Sequence, residues 1–61
     1  MSREIKAVAL AIYTQLVHDN ITLKQADKLV ATIGDAWRVR DVPFDVQAFE
    51  NLALRGMSYD N

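Results

Sequence analysis

The first twenty residues carry apolar side chains on two adjacent faces of one helix, and that pattern limits what the chain can fold into. Between Ser2 and Asn20, Ile5, Ala9, Ile12 and Leu16 recur at spacings of 4, 3 and 4, with Val8 beside them. Leu10, Tyr13 and Val17 recur at 3 and 4 alongside. Both spacings follow the period of an amphipathic helix. A helix resting on one neighbour needs one apolar stripe, so a second stripe calls for a second neighbour, either the C-terminal part of the chain or another chain.

Polar punctuation divides the chain into three helices. Ser2 is suited to cap the first, Glu4 complements the positive end of its dipole, and Asp19-Asn20 supplies turn chemistry after His18, which predicts a helix over residues 3–19. Thr22 and Gln25 have the spacing of a capping box. Beyond them Leu23, Ala26, Val30, Ile33 and Trp37 recur at 3, 4, 3 and 4, with Leu29 at their flank, which predicts a second helix over residues 23–38. Gly34 either ends that helix or sits inside it; because Trp37 continues the stripe without a phase jump, the continuous helix is the expectation. Val42 precedes Pro43 and is biased away from helix. Asp45 can then cap a third helix over residues 46–55, with Phe44 and Phe49 placed to pack across the cap and Gly56 placed to end it. Met57 to Asn61 is expected to fray. The short connection between the first two helices favours an antiparallel hairpin, so the expected architecture is one all-α domain over residues 1–61, a hairpin plus a short third helix.

Size adds a thermodynamic argument for a partner. Folding 61 residues buries roughly 6,000 Å² of surface. If about 60% of it is apolar, burial at roughly 25 cal/mol/Å² contributes about 90 kcal/mol. Ordering the chain at roughly 1.5 kcal/mol per residue costs about the same. Small domains with so even a balance commonly add disulfides, a metal or another subunit, and this chain has no cysteine and only His18. A homo-oligomer is therefore expected.

Several function classes are disfavoured. Seven Lys or Arg against eight Asp or Glu leave a net charge of −1, so no overall field draws the chain to nucleic acid or anionic lipid. The longest mostly apolar uncharged run, Ala7 to Val17, is too short to span a bilayer. Glu4 near the start is unlike a signal peptide, and a cytoplasmic protein is the expectation. A lone histidine and scattered carboxylates predict no metal site, and the absence of cysteine, with serines only at positions 2 and 58, predicts no nucleophilic catalyst and no cofactor. Lys24, Lys28, Arg38 and Arg40 could track phosphates, with Lys24 and Lys28 on one helix face, but Asp27, Asp35 and Asp41 lie among them. Nucleic acid remains a possible partner, though not the favoured one. Leu10, Tyr13 and Val17, with Trp37, are the candidate anchors of a protein interface, since aromatic side chains dominate such contacts. For Trp37 its place on the stripe with Val30 and Ile33 also fits a core role.

The run Ala11-Ile12-Tyr13-Thr14-Gln15-Leu16, followed by Thr22-Leu23-Lys24-Gln25-Ala26-Asp27-Lys28-Leu29, resembles the small early proteins encoded between the exonuclease and excisionase genes of lambdoid bacteriophages. The resemblance covers the hairpin, about half of the chain, and includes no diagnostic motif. It implies a short helical protein of the host cytoplasm, made early in infection, oligomeric, and tied to phage development or host takeover without a catalytic step. The expected function is thus a non-enzymatic helical interaction module. The alternative is a dimeric helical hairpin that binds nucleic acid, in which the four basic residues would each occur twice.

Overall fold

Each helix begins where a side-chain oxygen takes the place of a missing backbone acceptor. The Ser2 hydroxyl accepts from the Ile5 amide at 3.2 Å, and the Asp45 carboxylate accepts from the Ala48 amide at 3.1 Å. Thr22 and Gln25 form a complete capping box, the Gln25 amide donating to the Thr22 hydroxyl at 3.1 Å and the Thr22 amide donating to Gln25 Oε1 at 2.8 Å. A computed structural model describes residues 1–57, and among them these caps start three helices: α1 (Arg3–Val17), α2 (Leu23–Val39) and α3 (Val46–Arg55). The fraying expected beyond Met57 concerns residues 58–61, which lie outside the described residues.

The helices end on left-handed residues. Asp19 at φ 59° and Asp41 at φ 57° follow α1 and α2, and Gly56 at φ 68° follows α3. After α1 the Asp19 amide donates to the Leu16 carbonyl and the Asn20 amide to that of Gln15; after α2 the Asp41 amide donates to Arg38 and the Val42 amide to Trp37. These are paired Schellman closures with aspartate where glycine is usual. α1 therefore stops two residues short of the expected Asp19, because a residue at φ 59° cannot continue a right-handed helix. α2 runs through Gly34 without a break.

The core places α3 against both other helices. Ile5, Ala9 and Ile12 of α1, Ala26 and Val30 of α2, and Phe49, Leu52 and Ala53 of α3 form one buried cluster. α3 packs more extensively on α1 than on α2, and α1 and α2 touch each other least. The buried face of α1 is thus met chiefly by α3, whereas a simple hairpin would have met it with α2. Ala48 and Ala53, both buried, let the α3 backbone come close. Trp37 is one of three aromatic rings at the start of α3: its centroid lies 5.3 Å from that of Phe44 and 5.0 Å from that of Phe49, both edge to face. Phe44 and Phe49 meet at 6.1 Å across the Asp45 cap, the staple expected from their spacing.

Candidate interaction surface

The second stripe of α1 is divided by α3. Tyr13 is half-buried because its ring lies over Gly56 at the end of α3: a methyl carbon built on Gly56 would stand 2.6 Å from Cζ, 2.8 Å from Cε2 and 2.9 Å from Oη of Tyr13. One turn to either side, Leu10 is 43% exposed and Val17 is 57% exposed. The sequence leaves open whether the third helix or another chain covers all three; among the described residues only Tyr13 of the three is half-buried. The reason is length. At about 1.5 Å per residue the ten-residue α3 spans roughly 15 Å, against roughly 22 Å for α1, and α3 also has to reach α2.

Trp37 belongs elsewhere. Its edge-to-face contacts with Phe44 and Phe49 set it, half-buried, against the core at the α2–α3 corner, away from Leu10, Tyr13 and Val17 in the chain. Leu23, expected on the inner stripe of α2, is 61% exposed. It is the first residue of its helix and lines an open groove with Lys24, Asp27, Leu54 and Arg55. On another side of α2, Ile21, Gln25, Lys28, Leu29 and Thr32 line a shallow apolar depression. Both depressions mix apolar floor with charge at the rim. Among the described residues no buried side-chain polar atom lacks a partner, so neither is marked by a group awaiting a ligand.

The basic residues do not form one stripe. Lys24 and Lys28 lie a turn apart on α2, and Arg38 falls near the same side; Arg40, two residues past Arg38, faces nearly the opposite way at about 100° per residue. Arg38 also lies 3.6 Å from Asp35 across one exposed turn, and Asp27 is exposed between the two lysines. Screening by solvent makes the Arg38–Asp35 pair weak, but it places a carboxylate in any field that Arg38 would present.

Two features of this surface escape sequence reasoning. The contact of Tyr13 with Gly56 joins residues far apart in the chain, and only its ingredients, an apolar second stripe and a terminal glycine, are visible in the pattern. Asn51, 4% exposed, is buried on α3 with its Oδ1 accepting from Arg55 Nη1 at 3.1 Å; its i, i+4 spacing to Arg55 was the available signal.

Among the described residues no three or more His, Cys, Asp or Glu side chains gather as a metal site, and no helix is long and apolar enough to cross a membrane. No protein-family model matches the chain, and no curated protein or solved structure matches it either.

Proposed function

We propose that this chain is a non-catalytic helical module that works by docking its α1 surface on another protein. The observation that carries the reading is the state of the second α1 stripe, where α3 closes over Tyr13 and leaves Leu10 and Val17 open on either side. Isolated exposed apolar residues are common on protein surfaces. Leu10 and Val17 differ in flanking a half-buried aromatic on a rigid helix, the arrangement of an anchored contact with a rim. The partner that the phage-protein resemblance brings with it is a host or viral protein met early in infection, and the action is occlusion of a surface on that partner.

Affinity capture from the native host tests this with the wild-type chain beside Leu10→Asp/Val17→Asp. Both substituted residues are exposed, so the variant is expected to keep its helices, which far-UV circular dichroism checks before capture. A protein retained by the wild type at least about tenfold better than by the variant supports the reading, since loss of anchor contacts costs well over 1 kcal/mol. Equal retention by both chains, or bound material released by nuclease, refutes it.

A further inference from the structure

The two connections between helices are fastened differently. After α1 the Asn20 side chain donates to Gln15 Oε1 at 2.9 Å, and the capping box of Thr22 and Gln25 follows at once. A helix running on through that turn would forfeit those bonds. After α2, among the described residues, no side-chain hydrogen bond or ion pair holds residues 40–44. Asp41 stands there at φ 57°, in the left-handed region that glycine occupies freely and an aspartate only at a cost. The amides of Asp41 and Val42 donate to the Arg38 and Trp37 carbonyls. In a helix continued through Asp41 the same amides would donate to Trp37 and Arg38, so straightening this turn loses no backbone bond. Pro43 then biases Val42 towards extended backbone. Two further observations bear on the same connection. α3, although joined to α2, packs more extensively on α1, so most of what holds it does not depend on which copy of α2 it is attached to. Val39, in the last position of α2, is 84% exposed, more than any other large apolar side chain among the described residues.

We infer that the chain exchanges α3 with a second copy of itself, with residues 40–43 as the hinge. α2 straightens through Asp41, Val42 and Pro43 cross between the copies, and Phe44 with α3 seats on α1 and Trp37 of the second copy through the contacts already described. Short connections under strain invite such an exchange. Each copy gives one α3 and receives one, so the pair closes on a two-fold axis and leaves no core face open. The one new surface lies at the crossing, where the straightened ends of α2 meet and Val39 gains cover. The exchange supplies the second subunit that so small a domain commonly needs, and it does so without using Leu10 or Val17. The pair therefore presents the open α1 edge twice, as a two-headed docking module.

Sedimentation equilibrium from micromolar to about millimolar chain, on samples unfolded and refolded at each concentration, is expected to show a monomer–dimer equilibrium for the wild type. Asp41→Gly removes the left-handed cost and disfavours a straightened helix, so it should weaken the dimer. Asp41→Ala does the reverse and should strengthen it. Because every dimer contains two hinges, the association constants of the two variants should differ at least about tenfold. The exchange itself is read without any substitution, by an isotope-filtered nuclear Overhauser spectrum of dimer refolded from equal parts of labelled and unlabelled chain. The Tyr13 ring of one copy should show a cross-peak to the α protons of Gly56 of the other, a contact that a closed copy makes only within itself. A wild type with no dimer up to about a millimolar, a dimer without that cross-peak, or equal association of the two Asp41 variants overturns the proposal. None of these results touches the docking reading of α1, which the capture experiment with Leu10→Asp/Val17→Asp decides on its own.

Discussion

Replacing Gly56 by alanine tests the closure of α3 on α1 with two separable costs. The first is conformational: at φ 68° an L-residue in the left-handed region loses about 1 kcal/mol relative to glycine. The second is steric. The new Cβ would lie 2.6 to 2.9 Å from three atoms of the Tyr13 side chain, well inside carbon–carbon contact, and forcing such overpacking costs about 1–3 kcal/mol. Tyr13 can yield only by swinging away from α3, which gives up its burial. Together the change should destabilise the fold by about 2–4 kcal/mol, a drop in Tm of roughly 10–30 °C for a domain of this size. Urea or thermal unfolding followed by far-UV circular dichroism measures it, and a double-mutant cycle separates the parts. In a Tyr13→Ala background Gly56→Ala should cost only the conformational part, leaving a coupling of about 1–3 kcal/mol. A coupling near zero would show that Tyr13 does not rest on Gly56, and the division of the α1 stripe by α3 would be wrong.

The other glycine should respond in the opposite direction. A Cβ on Gly34 meets Phe44 Cζ at 3.6 Å, an ordinary contact, so Gly34→Ala gains helix propensity and should stabilise by about 0.5–1 kcal/mol in the same unfolding assay; a loss of stability would mean that the corner beside Phe44 has no room for a methyl group. Ile12→Asp places a carboxylate where the side chain is 6% exposed. Lost burial and an unpaired interior charge should together abolish the helical dichroism at 25 °C, and a cooperative melt near the wild-type temperature would show that Ile12 is not in the core.

The architecture was legible in the sequence because its signals are local. Ser2, Thr22 and Asp45 announce helix starts by reaching amides three residues ahead, and Phe44 with Phe49 forms a staple for the same reason of short range. Gly34 gave no such certainty, since a glycine at a helix end and one inside a helix look alike until the apolar phase beyond it is followed to Trp37. The end of α1 is harder to read, because Asp19 is a turn residue that also tolerates a helix, and only its positive φ decides between them. The less legible part is tertiary. The place of Trp37 on the stripe with Val30 and Ile33 already fitted a core role, but its edge-to-face partners Phe44 and Phe49 come from other parts of the chain and are visible only in the structure. Leu23 fitted the inner stripe of α2 by period yet lies exposed, because a stripe predicts direction and not whether a neighbour extends far enough to meet it.

That last point bears on why α1 keeps an open edge. Ala48, Phe49, Asn51, Leu52 and Ala53 are all buried, and at about 100° per residue they occupy more than half the circumference of α3. A helix of only ten residues that is already in contact over so wide an arc has no further face to turn towards Leu10 or Val17. The remaining cover would have to come from residues outside the three helices or from another molecule. Gly56 ends α3 with a left-handed residue beneath Tyr13. Any substitution of Gly56 to lengthen the helix would therefore set a side chain against the Tyr13 ring.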